Sequence, residues 1–202
     1  MTDKKKQLRA KMRRLRAQAY HDDAVNGTLA AGHLRDLAAP LIEAIKPEIV
    51  AGYIPIANEI DARPLMAAFS ALGARLCLPE VVELGEALRF REWTPGALLS
   101  SGKLGTLQPT EDAEILEPDL VLLPLLAVDR RGVRLGQGGG FYDRTLEQLR
   151  ERSILAYGVA FDEQLVDCLP VETHDQMLDG LITPTSSMKW DDNRQRIFLA
   201  QR

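Results

Sequence analysis

An uninterrupted apolar run at residues 120–128 (LVLLPLLAV) narrows the folds that are open to this chain. The run is too short for a membrane-spanning helix, which needs about 18 apolar residues or more. A strand that is apolar at every position has both faces covered, as in the middle of a layered α/β sheet. We therefore expect a central strand here. Its ladder should end at Pro124, because proline has no N–H to donate.

Strand and helix patterns alternate on both sides of this run, which is typical of α/β domains. We predict a single domain over residues 1–202, a three-layer α/β/α fold with a mixed, mostly parallel sheet and a polar tail over about 186–202. The expected elements are a first helix capped by Thr2 or Asp3; a helical region from Asp22 or Asp23 to about residue 45, with a break or restart at Pro40; strands at 49–53, 75–78, 87–93, 154–159 and 181–183; helices at 61–72 and 142–150; and a surface excursion at 94–114.

The first helix combines an apolar stripe with a cationic surface. Leu8, Met12, Leu15 and Ala19 recur at steps of four, three and four, which places them on one helical face. Residues 4–16 contain eight Lys or Arg and no acid. The helix should dock by one face, and its charge is either a local anion site or a solvated basic surface.

The composition argues against several classes of protein. A net charge of −4 gives no general attraction to nucleic acid or to an anionic membrane, so we expect neither partner. Cys77 and Cys168 have neither metal-ligand spacing nor the density of a disulfide scaffold. The basic N-terminus lacks the apolar run of a signal peptide. We expect a cytoplasmic monomer.

Residues 134–143 (RLGQGGGFYD) place four glycines in five positions between the buried strand and a helix. Glycine lets the backbone approach a ligand closely, so successive amides can point at phosphate oxygens, and a helix start adds further N–H donors. Arg134 supplies positive charge, and Asp143 is placed to take a bridging cation. The alternative is a flexible surface turn.

Two common glycine fingerprints do not fit the chain. A Walker A loop requires G-x-x-x-x-G-K-[ST], which neither this segment nor SSGKLG around Lys103 satisfies. The dinucleotide pattern G-x-G-x-x-G fails because Phe141 stands at its last position. A P-loop fold and a dinucleotide-binding fold are both unsupported.

The segment RLGQGGGFYDR closely resembles the signature of the 5-formyltetrahydrofolate cyclo-ligase family, also called methenyltetrahydrofolate synthetases. Other pieces agree in order and span nearly the whole chain. They are Lys5-x-x-Leu8-Arg9, Tyr53-x-Pro55-x-x-x-Glu59-Ile60-Asp61, Leu78-Pro79, Pro118-Asp119, Ala160-Phe161-x-x-Gln164 and Leu169-Pro170-x-Glu172-x-His174-Asp175.

The resemblance implies a magnesium-dependent ligase that converts 5-formyltetrahydrofolate and ATP into 5,10-methenyltetrahydrofolate, ADP and phosphate. In that reaction the formyl oxygen attacks the γ-phosphate, and the second folate nitrogen then displaces phosphate from the activated carbon. The protein would contribute mainly alignment and charge neutralisation.

The resemblance also implies roles for individual residues. The ATP-binding residues would be Lys5, Lys6, Gln7, Leu8, Arg9, Arg134, Leu135, Gly136, Gln137, Gly138, Gly139, Gly140, Phe141 and Tyr142; the folate-binding residues Ile54, Glu59, Gln137, Gly138, Gly139, Gly140 and Phe141; and the magnesium ligands Asp143 and Asp175.

Several assignments have alternatives in the sequence itself. Glu59 could instead be a capping or loop acid beside Asp61. Physics alone does not rank Asp175 above the other acids nearby, and His174 has no metal spacing, so we expect an ordinary structural histidine. Those other acids are Asp162, Asp167 and Asp179.

The chain departs from the family pattern at Arg63, Val128 and Gln137. These departures bear on substrate affinity rather than on the metal ligands or the glycines. Two other functions stay open at this point: a phosphate-binding regulatory module without catalysis, and a relative of the sugar-phosphate isomerases or CoA-transferases. The last has no reason to bring residues 5–9 and Glu59 to the glycine loop.

Overall fold

The computed structural model of the chain describes residues 3–23, 27–191 and 193–201. Short 3-10 turns lie at Lys103–Gly105, Arg150–Arg152 and Asp162–Gln164. The helices are α1 (Asp3–Asp22), α2 (Thr28–Asp36), α3 (Ala38–Ile45), α4 (Arg63–Ala71) and α5 (Phe141–Leu149); the strands are β1 (Ile49–Ala51), β2 (Arg75–Glu80), β3 (Arg89–Glu92), β4 (Ser100–Ser101), β5 (Leu107–Gln108), β6 (Leu120–Pro124), β7 (Ala127–Asp129), β8 (Arg134–Leu135), β9 (Leu155–Val159), β10 (Leu165–Val166), β11 (Gly180–Ile182), β12 (Ser186–Trp190) and β13 (Arg196–Gln201).

A large mixed sheet forms the middle layer, with strand order β13-β12-β11-β9-β6-β1-β2-β3. The inner strands β11, β9, β6, β1 and β2 pair in parallel. The outer strands β3, β12 and β13 pair antiparallel. This confirms the predicted α/β fold with a mixed, mostly parallel sheet.

Strand β6 is apolar throughout because it is buried on both faces. Leu120 and Leu122 join the core beneath α2, α3 and α4. Val121 and Leu123 join the opposite core beneath α5. As predicted, the ladder of β6 ends at Pro124. Beyond that point β7 leaves the large sheet and pairs with β8 and β10, which the apolar run did not indicate.

The N-terminal helices follow the predicted stripe with two adjustments. Met12 is buried against Leu126 and Leu135, with Leu8 and Leu15 half-buried beside it. The second helical region is two helices, and Pro40 lies in the first turn of α3, which confirms a restart there. The predicted cap Thr2 lies outside the described residues.

The C-terminal tail expected over about 186–202 was wrong. Strands β12 and β13 form an antiparallel hairpin that extends the sheet. Ser187, Met188 and Trp190 are buried, and the exposed Lys189 lies between the last two of them. No helix among the described residues is both long and apolar enough to cross a membrane.

Candidate active site

A cavity of about 490 Å³ opens at the carboxyl ends of β1, β2 and β6. Tyr53 and Ile54 follow β1, Pro79 lies at the end of β2, and Pro124 and Leu125 follow from β6. The carboxyl ends of parallel strands meet at one edge of a sheet, where the loops after them converge on a shared crevice. The order of the parallel strands therefore determines where this cavity lies.

The glycine loop, residues 134–143, forms one wall of the cavity along its whole length. Gly138 has φ +108° and Gly140 has φ +68°, a region that strains residues with a Cβ. Helix α5 begins at Phe141, directly after Gly140. Its first-turn N–H groups have no intrahelical partners, so this wall can present donors to an anion.

Helix α1 reaches the glycine loop with its basic residues. The Arg9 Nε donates to the carbonyl oxygen of Gly136 at 2.9 Å. The Arg13 Nε donates to the Gln137 Oε1 at 3.1 Å. Lys5 and Arg9 line the cavity, so this predicted convergence is present.

The neighbours of Lys5 on α1 lie elsewhere. Lys6 and Gln7 are exposed, and Leu8 is half-buried against the core around Met12. None of these three lines the cavity. The family resemblance implies that all of residues 5–9 bind ATP. Because they form a helix, only the first and the last of them, Lys5 and Arg9, face the cavity.

Three side chains, those of Glu172, His174 and Asp175, form an acidic group at one end of the cavity. The Lys5 Nζ, almost fully buried, lies 2.7 Å from the Asp175 Oδ2 and 3.0 Å from the Glu172 Oε2. The hydrogen bond from Lys5 lowers the pKa of Glu172. Glu172, His174 and Asp175 bring ligand atoms within 4.8 Å of one another. The sequence analysis did not predict Glu172 as a site residue, because the sequence does not show that its side chain contacts Lys5.

Asp143 lies beside this group. Its Oδ1 is 2.6 Å from the Arg134 Nη2 and accepts the Gln176 N–H at 3.3 Å. The two carboxylates expected to be metal ligands both line the cavity, and each already has a cationic partner.

The structure separates Asp175 from the acids that the sequence could not rank against it. Asp179 pairs with Arg150. Asp167 pairs with Arg130 at the surface, and Asp162 accepts the Thr185 hydroxyl. Among these four aspartates, Asp175 alone lines the cavity.

Glu59 occupies another part of the cavity wall, only 7% exposed. Its Oε1 is 3.2 Å from the Arg16 Nη1, and its Oε2 accepts the Ile56 N–H at 3.0 Å. Of the alternative roles for Glu59, capping is not observed, because Asp61 and not Glu59 accepts the N–H of Arg63 at the start of α4. The role of a loop acid is observed in the contact with Ile56. Glu59 therefore both holds its own loop and lines the cavity.

Aromatic groups surround this carboxylate. Burial raises the pKa of Tyr53 and of Tyr142, and the nearby Glu59 carboxylate raises both further. Both phenols therefore stay protonated at neutral pH. The Arg144 guanidinium lies 5.5 Å from the centre of the Phe141 ring, and that ring lines the cavity.

Apolar side chains form a rim around the cavity, and no sequence motif predicts it. Two of its residues, Leu104 and Leu107, come from the predicted surface excursion, where β4 and β5 form a short hairpin. They are well exposed, 64% and 44%, as isolated leucines among polar residues. The rim consists of Ile56, Val81, Leu88, Leu104 and Leu107.

Comparison with known proteins gives a consistent result. The profile of the 5-formyltetrahydrofolate cyclo-ligase family matches residues 1–184. The 5-formyltetrahydrofolate cyclo-ligase of Escherichia coli K12 is 35% identical over 146 residues, covering 70% of this chain and 80% of the relative. The enzyme of the same name from Haemophilus influenzae is 30% identical over 186 residues, covering 90% and 98%.

Solved structures show the same fold. A 5,10-methenyltetrahydrofolate synthetase from Aquifex aeolicus superposes with a TM-score of 0.74 at 26% identity, covering 90% of this chain and 92% of that one. A synthetase from Mycoplasma pneumoniae gives 0.69 at 23% identity, covering 91% and 99%, and supports the fold alone.

Proposed function

Since the chain belongs to the 5-formyltetrahydrofolate cyclo-ligase family, we propose that its cavity converts 5-formyltetrahydrofolate and ATP into 5,10-methenyltetrahydrofolate, ADP and phosphate. The observation that carries this proposal is the convergence of the glycine loop, helix α1 and Glu59 on one cavity. A sugar-phosphate isomerase or a CoA-transferase would leave that convergence unexplained. We further propose that the chain acts as a single-domain, cytoplasmic monomer.

ATP binds, on this proposal, between the segment at residues 5–9 and the glycine loop. Arg9 and Arg134 bring guanidinium groups, which match phosphate oxygens in charge and geometry. The backbone at Gly138 and Gly139 lets the phosphates approach closely. Lys5 adds a further cation at the end where Asp175 lies.

The residues at this end also fit a magnesium ion. Mg²⁺ prefers hard oxygen ligands and usually takes one or two protein carboxylates beside nucleotide phosphates, as Asp143 and Asp175 could supply. In the structure each carboxylate is held by a cation, Arg134 or Lys5. Both cations can also pair with phosphate. When nucleotide and metal bind, Arg134 and Lys5 could therefore pair with phosphate oxygens while Asp143 and Asp175 pair with the metal. A bound Mg²⁺ would neutralise phosphate charge.

The folate lies, on this proposal, against Ile54, Glu59 and the loop residues 137–141. A carboxylate suits the amino and ring N–H donors of the pterin. Phe141 offers an aromatic face on which the pterin can stack. The phenols of Tyr53 and Tyr142 stay neutral beside Glu59, because their pKa values are raised.

The proposed chemistry has two steps. The formyl oxygen on N5 attacks the γ-phosphorus of ATP, and ADP leaves. The N10 lone pair then attacks the activated carbon, N10 loses its proton, and the C–O bond breaks to release phosphate and form the methenyl bridge. The phosphorylated intermediate must be shielded from water, which the apolar rim favours once substrate fills the cavity.

A coupled assay tests the proposal. Mixing the protein with 5-formyltetrahydrofolate, ATP and Mg²⁺ should produce methenyl-folate absorbance and an equal amount of ADP, with neither formed when folate, ATP or protein is omitted. Binding of ATP without folate-dependent ADP release would favour the regulatory alternative. An Asp143→Asn variant should need at least about tenfold more Mg²⁺ for half-maximal rate, since the change is nearly isosteric and removes only the charge. Unchanged activity at limiting Mg²⁺ would argue against that ligand.

A further inference from the structure

Arg16 lies behind the Glu59 carboxylate, as seen from the cavity. Glu59 lines the cavity, whereas Arg16 is not among the lining residues. Arg16 is only 4% exposed, although it is an arginine on a largely solvated basic helix. A guanidinium is rarely buried unless it is paired. The burial of Arg16 therefore needs a reason within the site.

The contacts of Arg16 form a fork around the loop that carries Glu59. Its Nη1 lies 3.2 Å from the Glu59 Oε1, and its Nε donates to the Asn58 Oδ1 at 3.0 Å. The other carboxylate oxygen of Glu59 accepts the Ile56 N–H at 3.0 Å. Both oxygens are thus held from the protein side, which fixes the plane of the carboxylate that faces the cavity.

We propose that Arg16 is a positioning residue that orients the Glu59 carboxylate for the folate head group. This inference rests on the proposed function. An arginine suits the role because its planar guanidinium holds two acceptors in fixed directions, which a lysine ammonium does not do. Its positive charge also lies 3.2 Å from the Glu59 Oε1, so removing it would leave a buried acid without its cationic partner.

Arg16 lies on the same helix, α1, as the cavity residues Lys5 and Arg9. Lys5, Arg9 and Arg16 recur at steps of four and seven and project towards the same side of the helix. At about 1.5 Å per residue, the distance along the helix from Lys5 to Arg16 is about 16 Å. One rigid element thus contacts the acidic group, the glycine loop and Glu59 in turn. Substitution of Arg16 should disturb the folate end and leave the nucleotide contacts of Lys5 and Arg9 in place.

The test compares Arg16→Met and Arg16→Lys in the full-length protein. We expect Arg16→Met to raise the KM for 5-formyltetrahydrofolate about tenfold, the usual scale for losing an orienting partner, with the KM for ATP within about twofold of wild type. Arg16→Lys, which keeps the charge without the fork, should recover part of the loss. Arg14→Gln, an exposed position on the other side of the same helix, is the matched control and should leave both KM values unchanged.

A double-mutant comparison separates this role from a structural one. In a Glu59→Gln background, Arg16→Met should raise the folate KM much less than it does alone, because the group it orients is already altered. Equal effects in both backgrounds, or a wild-type folate KM in either folded Arg16 variant, would overturn the proposal. If Arg16→Met does not fold, Arg16→Lys decides by the same criterion. Absence of turnover in the wild-type protein would instead overturn the proposed function.

Discussion

Gly138 holds the glycine loop in a conformation that residues with a Cβ adopt only with strain. Its φ is +108°, and a Cβ at this position would lie 3.4 Å from the guanidinium carbon of Arg9. The positive φ is therefore what favours glycine here, since a Cβ would make only ordinary van der Waals contact with Arg9. Arg9 brings the cationic helix against the loop at this point, so the conformation of Gly138 is tied to the proposed phosphate site.

Replacing Gly138 by alanine should weaken nucleotide binding more than it weakens folding. The positive φ should cost about 1–2 kcal/mol of unfolding free energy, and relief of that strain should shift the loop backbone that Arg9 contacts. We expect a raised KM for ATP in steady-state kinetics and a modest loss in urea unfolding. The matched control is Gly32→Ala in α2, where a Cβ meets nothing within 4 Å. That change should stabilise the protein by up to about 1 kcal/mol and leave the KM for ATP unchanged. A wild-type KM in Gly138→Ala would contradict this account of the loop.

At the residue scale, the sequence could indicate which groups matter but not their partners. The glycines, Arg134 and Glu59 stand out because their residue types suit a ligand. The ion pairs of Lys5 with Asp175 and of Arg16 with Glu59 join residues far apart in the chain, so no local pattern predicts them. The rim leucines were missed for a related reason, since a leucine in a polar loop looks the same whether or not it lines a cavity.

At the scale of elements, Asp129 joins two segments that line the cavity. It ends β7 with its side chain fully buried and accepts hydrogen bonds from the N–H groups of Arg131, Val133 and Leu169. Residues 131–134 lead into the glycine loop, and Leu169 leads to the acidic group at Glu172. Burial would raise the pKa of Asp129, but hydrogen bonds from the Arg131 side chain and from these backbone groups lower it overall.

This lowered pKa predicts how Asp129 stabilises the fold at different pH. A carboxyl whose pKa is lower in the folded state stabilises above its unfolded pKa, about 3.9, and that stabilisation is lost as pH falls through the folded value. Asp129→Asn should therefore cost about 2 kcal/mol at pH 7, and the gap to wild type should narrow below about pH 4. Urea unfolding at pH 7 and below pH 4 measures the difference in unfolding free energy between wild type and variant. Asp167→Asn, which loses only an exposed pair, should cost at most about 1 kcal/mol. If the stability difference between wild type and Asp129→Asn grew in acid, the pKa of Asp129 would be raised on folding and not lowered.

Much of the sheet follows from hydrophobic pattern, and the errors have definite causes. Strand β6 and the helices α1, α4 and α5 were predicted because burial on one or two faces leaves a periodic trace. The separate path of β7 was missed because an apolar run does not show which sheet each half joins. Strand β12 was missed because serines are buried at its start, so the expected alternation is weak.

At the scale of the whole molecule, the C-terminal hairpin supports the cavity from a distance. Strands β12 and β13 lie beyond the residues that the family profile matches. The Trp190 Nε1 nevertheless donates to the carbonyl oxygen of Arg130 at 2.8 Å. A Cβ on Gly132 would lie 3.2 Å from the Trp190 ring. The hairpin therefore packs against the turn that leads into the glycine loop.

Substitution of Trp190 should show that the whole chain unfolds as one unit. We expect Trp190→Ala to cost about 3–5 kcal/mol through the cavity it leaves, and Trp190→Phe to cost about 1 kcal/mol through the lost hydrogen bond. In Trp190→Phe the remaining tryptophan is Trp93, which follows β3 at the opposite edge of the sheet. Because the parallel strands between these edges share both cores, urea titrations followed by Trp93 fluorescence, by circular dichroism and by turnover should give coincident midpoints. Separate transitions for fluorescence and dichroism would contradict a single cooperative domain. If turnover persisted at urea concentrations where dichroism shows that the sheet has partly unfolded, the hairpin would not be needed to support the cavity.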